Sequence, residues 1–387
     1  MAARWGGVAR ASVFRLGWVR AGWTGLWLAA AAGSAATELE VISSAEICGT
    51  CHRAIYEGWN RSAHAAATES RLFEGALAAA ERDFGEPARP LCLSCHSPLG
   101  VHLRDLSLQQ KVSREGVTCD WCHSVRRVRF RGPNPAPVLE FSLVKTGPSK
   151  ATRAVVHGTE YAEVHRGAAI CSPCHQYRNA AGLNLIDTYE EWRRSRYGRA
   201  RRSCQSCHMS QVAGDVVDPR VQAVSGAQIN LHEMPGSSSV NQLNQAVRMV
   251  LAAQRKPDAI EVEVELANIG AGHAMPTGSP LRELILEVSA APRQGQPSAE
   301  IRRYRRVVAD RDGKPIELEH EGFFRAAAVV SDTRLAAEER RLERFRFLTA
   351  AGDPVEITAR LSYYYSPLAR ADSAKRVVFR TIGRWVQ

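Results

Sequence analysis

The sequence has no cysteine outside one recurring pattern, and none after Cys207. All ten cysteines fall in five pentapeptides of the form Cys-x-x-Cys-His, which begin at Cys48, Cys92, Cys119, Cys171 and Cys204. No cysteine is left for any other role. A disulfide, a thioredoxin-like redox pair or a zinc knuckle would explain paired cysteines, but none of these explains the histidine that follows every pair.

That histidine decides the interpretation. Because histidine makes up 12 of 387 residues, five chance occurrences have odds of about 3 in 10⁸. Thiols at positions i and i+3 lie one helical turn apart, so both can bond to the vinyl groups of one porphyrin, and the next imidazole can reach the iron. The sequence predicts five c-type haems on Cys48, Cys51, Cys92, Cys95, Cys119, Cys122, Cys171, Cys174, Cys204 and Cys207, with proximal iron ligands His52, His96, His123, His175 and His208.

No acidic residue precedes Glu38. Four arginines, an apolar stretch at 23–32 and a small-residue end at 33–36 predict a secretory signal peptide over residues 1–36. The apolar stretch is short for a membrane span, and an uncleaved anchor is the alternative. Since no second long apolar run follows, we expect a mature chain without a stable membrane span, periplasmic or secreted, where c-type haem is attached.

The formal charge of +11 overstates what a partner meets, because the signal peptide carries four of the arginines. Haem propionates and irons bring the mature charge to roughly +2 when oxidised and −3 when reduced. We therefore expect redox partner proteins and no nucleic acid. Six arginines before the fifth motif either neutralise propionates or bind an anion or an acidic partner: Arg193, Arg194, Arg196, Arg199, Arg201 and Arg202.

The chain divides near residue 240. Residues 37–240 hold every haem motif, and we expect short helices and irregular segments there. About 40 residues per haem are too few for separate apolar cores, so the macrocycles form much of the core and the apo-protein is largely unfolded. Unequal motif spacing favours one packed domain over a tandem array. Ser43 and Ser44 can cap a first helix, 64–82 has helical spacing, and 131–137 indicates an extended loop.

Residues 241–387 change to a two-residue period. Alternation from Val247 to Leu251 and from Ile260 to Leu266, around a turn at 256–258, predicts a hairpin. Further predicted strands are Leu281–Ser289, Ile301–Val308, Phe323–Val330, Leu342–Leu348, Val355–Tyr364 and Arg376–Ile382, with a helical turn at Arg334–Arg341. The expected fold class is α+β, a mainly helical or irregular pentahaem domain followed by a β-sandwich-like domain.

Seven further histidines are available to close five irons, since an electron-carrying haem usually has both axial positions filled. We predict His64, His157, His232 and His273 as distal ligands, with His102 and His165 competing for the last position. His64 can fold back over a neighbouring haem, and the glycines around His273 let backbone approach a flat ligand closely. We expect His320, in an acidic segment, at the surface. Methionine ligation is the less favoured alternative.

The motifs together resemble a bacterial multihaem cytochrome family. The resemblance is carried by 48–65, 115–123, 170–175, 188–192 with 204–209, and the loops at His232 and His273. The family is related to the tetrahaem cytochrome that accepts electrons from hydroxylamine oxidoreductase, here with an appended β domain. The resemblance implies closely packed, mostly bis-histidine haems and electron transfer. The family's loops read His-x-Phe-Pro, and Met234 and Met275 stand in place of that phenylalanine.

Two functions remain open. The first is an exported pentahaem cytochrome that passes single electrons between redox partners and needs no catalytic residue. The alternative is a multihaem reductase or oxidase of a small nitrogen or sulfur compound at one haem with an open coordination position. Against the alternative, no Cys-x-x-Cys-Lys motif occurs. Nothing in the sequence speaks for or against a third reading, an extracellular haem filament.

Overall fold

The computed structural model describes residues 41–150, 154–223, 228–366 and 376–387. The predicted signal peptide lies outside these residues. Within them, no helix combines the length and apolar character that a membrane crossing needs. Residues Val41–Gln387 form one compact unit, and the domain boundary at residue 240 stays a prediction.

The region with the haem motifs consists of short helices joined by turns. Ser44 caps the first of them, with its Oγ accepting from the backbone N–H of Glu46 at 3.3 Å, and the predicted helix at 64–82 begins at Arg71. The helices are α1 Ala45–Gly49, α2 Arg53–Asn60, α3 Arg71–Phe84, α4 Ala88–His96, α5 Pro98–His102, α6 Lys111–Arg114, α7 Cys119–His123, α8 Ser172–His175, α9 Thr188–Arg194, α10 Arg196–Arg199 and α11 Gln205–His208.

Four small strand pairs connect these helices. β1 Val125–Arg129 pairs with β2 Ala136–Leu139, β3 Val144–Gly147 with β4 Gly158–Tyr161, β5 Tyr177–Arg178 with β6 Asn184–Ile186, and β7 Gln211–Ala213 with β8 Gln228–Asn230. The prediction of an extended loop over 131–137 is therefore wrong at its end, because Ala136 and Pro137 pair with Arg129 and Val128.

The C-terminal region contains two antiparallel sheets. One has the order β14-β10-β9 and the other β13-β12-β11-β15-β16. Their elements are α12 Val240–Ala246, β9 Val247–Arg255, β10 Ala259–Asn268, β11 Glu283–Pro292, β12 Ser298–Ala309, α13 Glu319–Arg325, β13 Ala328–Asp332, β14 Arg340–Leu348, β15 Val355–Tyr364 and β16 Arg376–Val386.

Alternating side chains explain how these sheets pack. Every second residue at the start of β9 is buried, and the buried faces of β10 and β11 belong to one apolar cluster that also includes Leu361 and Phe345. Residues of both sheets meet in this cluster, so the sheets enclose a common core. The predicted α+β class, with a strand-rich C-terminal region, is confirmed.

Two predictions in this region are wrong. The strand expected over Phe323–Val330 is helix α13 up to Arg325, and strand β13 begins at Ala328. The helical turn expected over Arg334–Arg341 is irregular backbone followed by β14. Short apolar runs fit either period, so the sequence pattern alone could not separate helix from strand here.

His320 is also not at the surface. His320 is only 3% exposed, because α13 packs against α3 and places the imidazole against Asp83 and Phe84. Acidic neighbours in sequence predicted exposure, but burial extends to the adjacent Glu319, whose pKa is raised by desolvation. The sequence offered no signal for the packing of α3 against this helix.

The haem-motif region has little apolar core of its own in the part that the structure describes. One small cluster there consists of Ile42, Leu99 and Val112. Another is shared with the sheets, because Leu185 packs against Val308, Ile316 and Ala326. This distribution agrees with the expectation that bound macrocycles supply much of the core between the short helices.

Candidate haem-binding sites and their axial histidines

Each of the five motifs lies on a short helical turn. The second and third motifs lie within α4 and α7 and end at their histidines, and the fourth and fifth end α8 and α11 in the same way. In the first motif, Cys48 lies in α1 and His52 is the residue before α2. All ten cysteines are free and half-buried. One helical turn between paired thiols is the separation that two thioether bonds to one porphyrin edge require.

Backbone carbonyls orient four of the proximal imidazoles. His52 Nδ1 donates to Val216 O at 2.6 Å, and His96 Nδ1 to Ala67 O at 2.9 Å. The same bond joins His123 Nδ1 to Thr146 O at 2.6 Å and His208 Nδ1 to Pro235 O at 2.7 Å. A hydrogen bond at Nδ1 fixes the tautomer and leaves Nε2 for the metal.

Four of the predicted distal histidines lie opposite proximal ones. The ring centroids are 6.0 Å apart for His52 and His157, 6.3 Å for His64 and His175, 6.4 Å for His123 and His232, and 6.3 Å for His208 and His273. Two imidazole nitrogens at about 2 Å from one iron place the ring centroids roughly 6 Å apart. The four pairs therefore fit four bis-histidine irons.

Burial keeps these imidazoles neutral, as a metal ligand must be. Desolvation lowers the pKa of His64 and of His232 to about 4, and that of His175 to about 3. Desolvation also lowers the pKa of His273. An unprotonated Nε2 is thus available at neutral pH without an energetic cost for removing a proton.

The two competing histidines have other neighbours. His165 stacks on His123 at 5.3 Å with 12° between the rings, and its Nε2 is hydrogen-bonded to Thr146 Oγ1 at 2.9 Å. His102 lies 4.5 Å from the ring of Phe141. Neither imidazole belongs to the four histidine pairs. Their ligation stays a prediction, and the geometry of His165 fits support of His123 better than iron binding.

His96 is the proximal histidine outside the four pairs. Its ring stacks on Phe73 at 4.1 Å and 15°, which places an apolar side chain beside the imidazole. Desolvation lowers the pKa of His96. Phe73 carried no signal in the sequence, since a phenylalanine on a helix is ordinarily a packing residue.

Thiols from different motifs approach one another. Hydrogen bonding to Cys119 lowers the pKa of Cys48, and hydrogen bonding to Cys174 lowers that of Cys95 to about 7. Hydrogen bonding to Cys171 likewise lowers the pKa of Cys204. The attachment points of motif one therefore lie beside those of motif three, and those of motif four beside motifs two and five.

The arginine run before the fifth motif is solvent-exposed at all six positions. Glu190 pairs with Arg193 at 2.6 Å and with Arg194 at 2.7 Å. Its neighbour Glu191 turns the other way, toward the loop that carries His273, and donors at Ala274 and Thr277 contact it. No sequence pattern distinguishes these two adjacent glutamates.

A family model described as cytochrome c554 and c-prime matches residues 47–124, which contain the first three motifs. The fold and the motif sites support a multihaem c-type cytochrome. Among solved structures, the chain is similar to a penta-haem cytochrome c552 from Thermochromatium tepidum. The TM-score is 0.71 at 22% identity, over 89% of this chain and 99% of that one.

A second solved structure, Northeast Structural Genomics Consortium target SoR45, aligns with a TM-score of 0.20 at 7% identity, over 36% of this chain and 84% of that one. A search of curated proteins finds no match. The fold likeness to the penta-haem cytochrome extends through the strand-rich region, whereas the family model covers part of the haem region.

Proposed function

We propose that this chain is an exported pentahaem c-type cytochrome that passes single electrons between redox partners. The four histidine pairs, at 6.0–6.4 Å between ring centroids, are the observation that carries the proposal. A closed axial shell limits reorganisation on electron transfer and excludes small ligands. The similar penta-haem cytochrome supports the count of five haems.

The bound haems supply the single-electron chemistry, and the chain's own residues set the conditions for it. The carbonyls of Val216, Ala67, Thr146 and Pro235 hold proximal imidazoles in one tautomer. Thiol contacts between motifs one and three, two and four, and four and five set the anchors side by side. Anchors this close support electron transfer from one site to the next within the protein.

Export and the partner class rest on the sequence. The basic, apolar and small-residue segments of 1–36 indicate a signal peptide, and c-type attachment is typical of the periplasm or exterior. The resemblance to the hydroxylamine oxidoreductase partner suggests a multihaem enzyme as electron donor. Cross-linking of the mature holoprotein to candidate donors, with electron transfer followed by stopped flow, identifies the donor.

Haem content and spin state test the main proposal. Mature holoprotein from a host that attaches c-type haem should carry five haems by mass, and paramagnetic resonance should assign at least four low-spin ferric irons. Fewer than five haems refutes the count. Five haems of which more than one is high-spin refutes the bis-histidine set.

One observation favours the second candidate, an oxidoreductase of a small nitrogen or sulfur compound. An iron bound by His96 would have Phe73 beside its proximal imidazole, and His96 belongs to none of the four histidine pairs. Nitrite, hydroxylamine and carbon monoxide should each perturb the spectrum of a single haem if this site is open. If none of the three changes the spectrum of the holoprotein, the second candidate function is refuted.

A further inference from the structure

The loop 269–278, which carries His273, leaves β10 and returns to β11, and we call it the His273 loop. Several hydrogen bonds tie its backbone to the C-terminal region, one of them from Gly270 N–H to Ala246 O at 3.1 Å. Asn268 Nδ2 donates to His273 O at 2.8 Å. Met275 and Leu335 exchange backbone hydrogen bonds at 2.8 and 3.0 Å.

The glycines of this loop pack against protein. A Cβ on Gly270 would lie 1.8 Å from Gln245 O, and one on Gly272 would lie 3.1 Å from Trp192 Cδ1. The sequence suggested that these glycines let backbone approach a flat ligand, but the contacts show approach to α12 and α9. The loop is therefore fitted closely to both regions that flank it.

Helix α9 holds the loop from the haem-motif side. Glu191 Oε2 accepts from the backbone N–H of Ala274 at 3.1 Å and from Thr277 Oγ1 at 2.8 Å. Thr188 lies three residues earlier on the same face of the helix, and its Oγ1 is 2.8 Å from that of Thr277. One carboxylate thus fixes the residue after His273 and the threonine three positions further on.

Arg334 completes the arrangement from the C-terminal region. Its Nη1 lies 2.8 Å from Glu191 Oε1 and 3.3 Å from Pro276 O, and its Nη2 lies 2.7 Å from Asp332 Oδ2. The side chains of Arg334 and Glu191 are 11% and 15% exposed. Removal of Arg334 would leave the largely buried carboxylate of Glu191 without this cation, which is costly, whereas removal of Glu191 would leave Arg334 paired with Asp332.

We propose that Glu191 and Arg334 are positioning residues that hold His273 opposite His208. The inference rests on the proposed function, in which these two histidines share an iron. His273 is joined to the chain by a loop, so its distance from His208 depends on what anchors the loop. The buried pair supplies that anchor from both sides, and it makes iron coordination at the fifth motif depend on the fit between α9 and the strand-rich region.

The adjacent glutamate provides a matched control. Glu190 lies on the same helix, but its carboxylate pairs with exposed Arg193 and Arg194 instead of the His273 loop. A change in helix propensity or net charge affects Glu190→Ala and Glu191→Ala alike. A change in the anchoring of His273 affects Glu191→Ala alone.

Carbon monoxide binding to the reduced holoprotein measures detachment of His273. Glu191→Ala removes two hydrogen bonds to a charged acceptor, so the ratio of detached to bound His273 should rise roughly tenfold or more. The rate of carbon monoxide binding at that haem should rise by the same factor, and free imidazole should suppress the increase. Glu190→Ala should bind at the wild-type rate, and His273→Ala sets the rate of the fully open site.

The outcomes separate the two claims. If His273→Ala opens a haem and Glu191→Ala binds carbon monoxide at the wild-type rate, the anchor is refuted while ligation by His273 stands. If His273→Ala leaves the spectrum unchanged, ligation is refuted and the anchor with it. Should Glu191→Ala fail to incorporate five haems, Thr277→Val removes one donor to the same carboxylate, and an unchanged rate in that variant also refutes the anchor.

Discussion

The imidazole of His320 lies against the carboxylate of Asp83, with 2.8 Å between Nε2 and Oδ2. The two residues belong to α13 and α3, so the contact joins the strand-rich region to the haem-motif region. The His320 side chain is 1% exposed and that of Asp83 is 30% exposed. Stacking of Phe84 on Phe324 at 4.3 Å adds an apolar contact beside the hydrogen bond.

His320→Ala should lower the free energy of unfolding by about 2–3 kcal/mol, because it removes a buried hydrogen bond and leaves a cavity. Guanidinium unfolding of the holoprotein measures the change. Glu317→Ala, in the same acidic segment but exposed, is the control and should stay within about 0.5 kcal/mol of wild type. Equal losses of unfolding free energy in both variants would contradict a stabilising contact between His320 and Asp83.

The same contact makes the free energy of unfolding depend on pH in the acid range. Hydrogen bonding from His320, with a smaller contribution from Arg82, lowers the pKa of Asp83 below its ordinary value of 3.8. Because the pKa of Asp83 is lower in the folded state, the contact stabilises the protein fully above pH 3.8. This contribution is lost as the pH falls through the pKa of the folded state. The difference in unfolding free energy between wild type and Asp83→Asn should therefore shrink from pH 6 to pH 3. A constant difference contradicts this assignment.

If His64 and His175 share an iron as proposed, Met234 should influence the reduction potential of that haem. His64 Nδ1 lies 2.8 Å from Met234 Sδ, whereas His232 donates to the carbonyl of Asn230. A thioether is a weak acceptor, so the imidazole of His64 gains less basicity than one bonded to a carbonyl. Met234→Gln offers a stronger acceptor and should lower the midpoint potential of that haem on the order of 30 mV.

Spectroelectrochemical titration resolves this shift, and two further variants control it. Met234→Leu should raise the potential or leave it unchanged, because leucine accepts no hydrogen bond. Glu233→Gln alters the neighbouring exposed side chain, which pairs with Arg61, and should have a smaller effect than Met234→Gln. A shift of the same sign in the glutamine and leucine variants would exclude a hydrogen-bond origin.

Alanine substitution distinguishes ligands from supporting histidines. His157→Ala should convert about one fifth of the haem absorbance from low-spin to high-spin, because His157 lies opposite His52. His165→Ala should leave the spin states unchanged, since its Nε2 is bonded to Thr146. Loss of a low-spin haem in His165→Ala would instead establish the ligation predicted from the sequence.

Without haem, the haem-motif region should be much less stable than the strand-rich region. The sheets share a large apolar cluster, while the haem-motif region has a small one around Leu99. Limited proteolysis of protein produced without haem attachment should digest residues before about 240 and leave a resistant C-terminal fragment. The holoprotein, digested in parallel, should resist throughout. Equal resistance of both regions in the apo-protein would refute a cofactor-dependent core.

Local patterns predicted much of this molecule. The helical turns of the motifs follow from their spacing, and β15 has the bounds that alternation from Val355 to Tyr364 indicated. Helix α13 was missed and the strand that became β13 was predicted to begin five residues too early, because a short apolar run fits both periods. The surface location of His320 was wrong, since its burial comes from α3, more than 200 residues earlier.

The pairing of histidines lies beyond local pattern. His64 and His175 are separated by over 100 positions, and no local sequence pattern around either one identifies the other as its partner. A count of spare histidines suggested that all five irons could be closed. The fold sets His165 beside His123 and His102 beside Phe141, and ligation by either stays a prediction. Glu191 and Met234 were missed for the same reason, since their contacts depend on residues brought together by the fold.

The fourth motif lies between the second and the fifth. Its Cys174 thiol is hydrogen-bonded to Cys95 of the second motif, and its Cys171 thiol to Cys204 of the fifth. In the proposed pentahaem protein, an electron on the second site would therefore reach the fifth by way of the fourth, so the order of the haems in space would differ from their order along the chain. Loss of the fourth haem would then separate the second from the fifth, whereas loss of the fifth would only shorten the route.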